Sequence, residues 1–215
     1  MNALASSIIL VLFKMAKKYR YTPATWEYLK CLYYGYGVQQ NIKEAFNLAI
    51  NRLSLGYQEK FVEILKTETT SLVPERLLGL GKLLKFMLPH NPWEEEKYTK
   101  EEKSTILRAN QMISKAAESG LLEAEEAVAY IMGRGGGEIG LPKDEAKAIE
   151  WYIKAAEQGS DNAKYELVLY YLHGTFEFDD NPDKISLEQA RFWFKQLSKE
   201  KQKEYSSIAK CISRA

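Results

Sequence analysis

Side chains able to do chemistry are few in this sequence. Two histidines occur, His90 and His173, and neither stands in an H-E-x-x-H, H-x-x-E or Cys-His arrangement that could hold a metal. The two cysteines, Cys31 and Cys211, show no spacing of a metal knuckle or a disulfide ladder and are expected to pack as small hydrophobes. No G-x-S-x-G nucleophile elbow is present, and neither cysteine carries the local signature of a thiol protease. Carboxylates gather at Glu94-Glu95-Glu96 and at Glu125-Glu126 in charged surroundings. Acid–base work would need burial that drives their pKa values apart, so exposed faces are the expected setting.

Two loops imitate ligand sites. GRGGGEIGLPKD, from Gly133, has the glycines of a phosphate loop, but no strand precedes it and no G-K-[S/T] follows; a flexible extended turn is expected. Residues 177–184 carry Asp179, Asp180, Asn181 and Asp183 but lack the alternating ligands, central glycine and terminal glutamate of a calcium loop. No metal and no cofactor is expected.

The elements that must position these groups are helices. The chain of 215 residues is 46% hydrophobic and 27% charged, with a mean hydropathy of −0.38, which suits a soluble protein with a continuous core. Thirty basic against 29 acidic side chains leave a net charge of +1, too little to steer it to nucleic acid. The apolar run 8–13 is too short to span a bilayer, and basic residues come after rather than before it, unlike a secretory signal. It reads as a buried helix that caps the N-terminal end of the fold. A cytoplasmic location is expected, and a periplasmic one if residues 1–20 act as a signal or the signal is missing.

A repeat underlies the rest. From Lys143 the chain reads KDEAKAIEWYIKAAEQGSDNAKYELVLYYLHGTF, with Lys147-Ala148, Trp151-Tyr152, Ala155-Ala156 and Gly159 at helical spacing on one stripe. The same offsets recur at Arg108-Ala109, Met112-Ile113, Ala116-Ala117, Gly120; at Glu44-Ala45, Leu48-Ala49, Arg52-Leu53, Gly56; and at Gln189-Ala190, Trp193-Phe194, Leu197-Ser198, where Lys201 replaces the glycine. Between them lies a second helix, ending at Gly35, Gly133 and Gly174 in three copies, where a left-handed glycine would close it. The next helix should start at Asn41, Thr105, Asp144 or Ser186, each able to cap it.

This ordered pattern resembles the Sel-1-like repeat, a helix-turn-helix unit related to the tetratricopeptide repeat. Ala163, Leu167, Tyr171, Gly174, Asp144, Lys147, Ala148, Trp151, Tyr152, Ala155, Ala156 and Gly159 match its motif, as do Ala24, Gly35, Gly37, Val38, Ala45 and Gly56 in the first copy. The resemblance implies an all-α, right-handed α-solenoid of about four helix-turn-helix repeats with N- and C-terminal capping helices. The expected divisions are a cap at 1–21, repeats at 22–56, 74–120, 121–159 and 160–199, an extra segment at 57–73, and a capping helix at 200–215. Copy two departs most: its first helix, expected over 75–88, is succeeded by the proline- and charge-rich insertion PHNPWEEEKYTKEE around Trp93. The tail should present Tyr205, Ile208, Ala209 and Ile212 on one helical face that shields the last repeat.

Stacked repeats build a concave contact face, and this chain is rich in interface-type aromatics, with 14 Tyr, 8 Phe and 4 Trp. Candidate protein-binding residues are Trp26, Lys30, Tyr33, Tyr34, Trp93, Tyr165, Leu169, Tyr170 and His173; inter-repeat packing is the competing role for several of them. The resemblance implies protein–protein roles: signalling adaptors, assembly scaffolds and immunity proteins that neutralise a secreted toxin. A non-catalytic module binding one protein partner, an adaptor or inhibitor, is therefore expected, acting as a monomer with no nucleic acid and no membrane span. Two other classes stand against it: a small carboxylate-dependent hydrolase, marked by a cleft holding carboxyls of raised pKa, and a self-associating scaffold, marked by an exposed apolar end helix.

Overall fold

The computed structural model describes residues 8–9, 11–13, 15, 18, 22–67, 73–88, 97–135, 137–176 and 181–214, with backbone alone at 66–67, 137, 210–211 and 213–214. Trp93, His90, Glu94 to Glu96, Asp179, Asp180 and the Cys211 side chain therefore lie outside the described residues. The fold is all-α, and it divides into two compact units, residues 1–116 and 117–215.

In the first unit the helices are α1 (Thr22–Tyr34), α2 (Ile42–Arg52), α3 (Leu55–Thr67), α4 (Pro74–Phe86) and α5 (Lys100–Glu118). α1 packs on α2 and α2 on α4. The motif alanines Ala45 and Ala49 are fully buried, where a side chain with no rotamer entropy lets neighbouring helices approach closely. Around them an aromatic core forms: Tyr33 lies edge-on to Phe61 at 5.3 Å and to Phe46 at 6.2 Å, and Phe46 meets Phe61 at 5.2 Å. The described residues of 8–18 are helical, and Ile9, Leu12 and Phe13 pack against this core. The segment that had no place in the repeat is α3, whose Phe61 and Val62 complete the core.

α4 meets α5 through the Leu80-Gly81 pair of copy two. A methyl group at Gly81 would fall 2.7 Å from Ile113 Cγ1 and 2.8 Å from the Ala109 carbonyl oxygen, so only glycine permits this approach. α5 begins at Lys100 and not at 105. Thr99 caps it, its Oγ1 accepting from the Glu102 N–H at 3.2 Å while the Glu102 carboxylate accepts from the Thr99 N–H at 2.8 Å. Thr105, the expected cap, sits one turn inside and donates to the Glu101 carbonyl at 3.1 Å. The reciprocal box outcompetes the position that the repeat's register predicts.

The second unit holds α6 (Leu122–Met132), a short antiparallel hairpin of β1 (Gly137–Glu138) and β2 (Leu141–Pro142), α7 (Glu145–Glu157), α8 (Asp161–His173), a 3-10 turn (Pro182–Lys184), α9 (Leu187–Gln196), α10 (Lys199–Glu204) and α11 (Ser206–Arg214). α6, α7, α8 and α9 pack in succession, each on the next. The glycine-rich turn is thus paired in a ladder, Glu138 opposite Leu141 with both side chains buried, and not an extended loop. Gly133 also departs from expectation: its φ of −95° is open to any residue, and glycine is needed because a methyl there would lie 2.8 Å from Phe176 Cδ2. Gly174 does adopt the left-handed conformation, φ 75°, that ends α8. The tail is two helices, because Tyr205 (φ −96°, ψ 33°) ends α10; α11 then returns so that Arg191 Nε and Nη2 donate to the Ile212 carbonyl at 3.0 and 2.7 Å.

Two kinds of join recur. At the first, the capping residue of the second helix donates its backbone N–H to a carbonyl in the last turn of the first: Asn41 to Leu32, Asp144 to Met132 and Ser186 to Tyr171, each at 2.9 Å. The second join closes the second helix, whose last carbonyls lack intrahelical partners. In copies two and three a left-handed glycine does this, Gly120 (φ 82°) and Gly159 (φ 102°), each N–H reaching back to an alanine carbonyl. In copies one and four a glutamine of the next helix takes over. Gln58 Nε2 donates to Ala49 and Leu53 carbonyls at 3.0 and 3.3 Å, and Gln202 Nε2 to Lys195 and Leu197 at 3.2 and 2.8 Å. Gly56 consequently closes nothing and lies within α3.

Candidate functional site

The aromatic residues that the sequence singles out separate into core and surface. Tyr33 is fully buried, with the Arg76 guanidinium 4.8 Å from its ring centroid, and Leu169 and Tyr170 are buried in the second unit, Tyr170 against Phe176 at 4.7 Å. Burial on this scale takes these three out of reach of a partner. Tyr165 and His173 are half-buried; the Tyr165 ring stacks on Tyr205 at 4.0 Å, so one of its faces is already occupied by the tail.

What α1 leaves on the surface is a contiguous polar–aromatic strip in the first unit. Trp26 is half-buried, tilted on Tyr57 at 5.6 Å and edge-on to Phe61 at 6.3 Å. Lys30 sits one turn on, its ammonium 5.5 Å from the Trp26 ring and 2.9 Å from Glu27 Oε1. Tyr34, a further turn on, stacks nearly parallel on Tyr36 at 5.1 Å, and Tyr36 is 63% exposed. The i, i+4, i+8 spacing of Trp26, Lys30 and Tyr34 places them on one stripe because a helix turns every 3.6 residues. Tyr36 escapes a periodicity reading since it stands past the helix end, between Gly35 and Gly37, both at positive φ.

Carboxyls of raised pKa exist in the second unit. Burial pushes Glu166 up, against the pull of Arg134, whose Nη2 is 3.0 Å from its Oε2. Burial also pushes Glu125 up, against Lys154 and against the hydrogen bond that Gln158 Nε2 donates at 2.7 Å. Ser160 donates to Glu126 beside it. These carboxylates tie α6 and the turn after it to α7, α8 and the residues between them, a structural use that accounts for their burial. In the first unit, α3, α4 and α5 flank a cleft of about 310 Å³. Its acidic lining residues are Glu59, Glu63 and Glu101, so the cleft and the raised carboxyls do not coincide. Among the described residues, no group of three or more His, Cys, Asp or Glu is placed to hold a metal, and no helix is long and apolar enough to cross a membrane.

Successive helix-turn-helix units with alanine-lined contacts define a helical repeat protein. The profile of the Sel1 repeat family matches residues 30–50, 122–160 and 163–200, which correspond to copies one, three and four. Sel1 repeats are as a rule protein–protein interaction modules and typically non-catalytic. Among solved structures, a Sel1 repeat protein from Oxalobacter formigenes is 19% identical with a TM-score of 0.42, the match covering 89% of this chain and 45% of that one. A protective antigen of uropathogenic Escherichia coli displaying an SLR fold is 17% identical with a TM-score of 0.35, over 87% of this chain and 40% of that one. This chain thus spans less than half the length of either. No curated protein matches it.

Proposed function

We propose that the chain is a non-catalytic module, an adaptor or inhibitor, that holds one protein partner, and that its most specific form is an immunity protein neutralising a secreted bacterial toxin. The observation that carries the reading is the strip Trp26–Lys30–Tyr34–Tyr36 on a Sel1-repeat scaffold: rigid, amphipathic rings with a cation between them, partly open to solvent. Tyr and Trp supply large contact area with few rotors to freeze, which is why they dominate binding hot spots. The buried Glu125 and the half-buried Glu166 support the same reading, because both are engaged in joining helices.

The test is affinity capture from the native cell with the wild type beside a Lys30→Glu, Tyr34→Ala, Tyr36→Ala variant of unchanged helicity, and then reconstitution from purified components. One protein bound at fixed stoichiometry by the wild type and lost by the variant is expected. For the immunity form, co-production must also relieve the toxicity of that protein. Should nothing reconstitute with the wild type, the binding-module reading falls.

A further inference from the structure

We infer that the cleft between α3, α4 and α5 is the groove in which a basic, amphipathic helix of the protein partner docks; this rests on the protein-binding reading above and adds the chemistry of the bound segment. The groove lies wholly within the first unit and between residues 59 and 112, in the stretch that separates the first Sel1-matched segment from the second.

Its shape is that of a trough built from three single-faced walls. α5 contributes Glu101, Thr105, Arg108 and Met112, spaced i, i+4, i+7, i+11 along one stripe. α4 contributes Leu80 and Leu84 with Met87 just beyond its end, again i, i+4, i+7, and α3 contributes Glu59, Val62 and Glu63. At a rise of about 1.5 Å per residue the α5 wall runs on the order of 16 Å, three helical turns. A trough of that length, lined by helical stripes, accepts a helix presenting its own i, i+4, i+7 face. The floor is aliphatic, and two methionines give it side chains that reshape around a guest.

Charge fixes what flanks that face. Three carboxylates, Glu59, Glu63 and Glu101, stand on the lining against one guanidinium, Arg108. That local excess of negative charge opposes the sign of the whole chain, which carries +1. Glu59 and Glu63 are one turn apart on α3, a like-charge spacing that disfavours the isolated helix. Lys60 between them is turned onto the Tyr57 ring at 5.0 Å. A guest helix bearing Lys or Arg beside its apolar stripe would place cations over the rim carboxylates, whereas an acidic one would meet repulsion on two walls.

The probe is a capped synthetic peptide of about four helical turns with Leu at i, i+4, i+7, i+11 and Lys on the flanks, compared with the same peptide carrying Glu in place of every Lys. Titrated into the full chain and tracked by amide NMR shifts, the Lys peptide is expected to bind about tenfold tighter than the Glu peptide. The preference should shrink in high salt, with shifts concentrated on residues 59–63, 80–87 and 101–112. Glu59→Lys with Glu63→Lys, both exposed and so compatible with folding, should reverse the preference. Equal affinity for the two peptides, no binding of either, or shifts centred elsewhere would overturn the proposal. The two readings separate in the capture experiment. A partner that the strip variant loses but the Glu59→Lys, Glu63→Lys chain retains leaves the protein-binding function standing and removes the groove from it.

Discussion

Replacing Gly81 by Ala tests the close approach of α4 to the α5 backbone in the first unit. In an exposed helix interior the change would stabilise, since Ala exceeds Gly in helix propensity by up to about 1 kcal/mol. Here the added methyl would sit 2.7 Å from Ile113 Cγ1, 3.3 Å from its Cδ1 and 2.8 Å from the Ala109 carbonyl oxygen. Ordinary carbon contacts begin at about 3.5 Å. Ile113 is 2% exposed and has little room to rotate, and the Ala109 oxygen belongs to the α5 backbone, so α5 itself must retreat. Overpacking of this kind costs roughly 1–3 kcal/mol. Set against the propensity gain, the net is a loss of about 1 kcal/mol, or ~2–4 °C in Tm for a chain of this size. Gly56→Ala is the internal control: it too is helical, but nothing lies within 4 Å of the new methyl, so it should leave stability unchanged or raise it. Urea unfolding by circular dichroism, with native-state amide exchange read at residues 77–83 and 106–117, measures both. If Gly81→Ala stabilises the protein as much as Gly56→Ala does, α4 and α5 are not in the contact described and the groove walls they form are misplaced with them.

The joins between helices give further expected outcomes. Gln58→Ala leaves the Ala49 and Leu53 carbonyls without their buried donor and should cost about 1–3 kcal/mol, while Gln202→Ala, at a half-buried position, should cost less; parallel urea curves give the ranking. Ser160→Ala removes both the cap that accepts from the Ala163 N–H at 3.0 Å and the hydroxyl bound to Glu126, and should cost about 1–2 kcal/mol, seen as faster amide exchange at the start of α8. For pH, the folded state holds the protons of Glu125 and Glu166 more tightly than the unfolded chain does. Their stabilising contribution is therefore complete below the ordinary glutamate pKa and fades as pH rises through their raised folded values. Urea midpoints of the wild type should fall over that window relative to those of a Glu125→Gln, Glu166→Gln variant; parallel profiles would refute the assignment.

The repeat itself was legible because its offsets are set by helix geometry: the stripe Ala148, Tyr152, Ala155, Ala156 is buried as its spacing demands. Caps were legible where a side chain acts on its own helix, as at Asn41, Asp144 and Ser186. Closures made across a turn were not, and Gln58 carries no local signal that it will serve carbonyls up to nine positions earlier. Thr105 misled since register alone chose it, while the reciprocal Thr99–Glu102 pair lies in the insertion where the template stops. The division of the aromatics into core and surface was hidden for a different reason. A repeat helix packs against neighbours on more than one side, so Tyr33 and Tyr34, adjacent in sequence, differ in burial, and α8 buries Leu167, Val168, Leu169 and Tyr170 in an unbroken run. Periodicity marks a face; it does not say how many faces are covered.

The backbone bond from each capping residue to the preceding helix has an implication for how such chains diversify. The bonded residues are 9 positions apart in the first copy (32 to 41), 12 in the third (132 to 144) and 15 in the fourth (171 to 186), yet the bond is 2.9 Å in all three. A fixed fastening with a variable span makes the connecting segment a replaceable cassette. Closing the longest of these spans instead of the shortest costs under about 0.6 kcal/mol of chain entropy, since each doubling of a loop costs roughly that much. Sequence between the fastened ends is thus free to drift, lengthen or be exchanged while the helices beneath keep their places, and selection for a new partner can act on the connector without reopening the core.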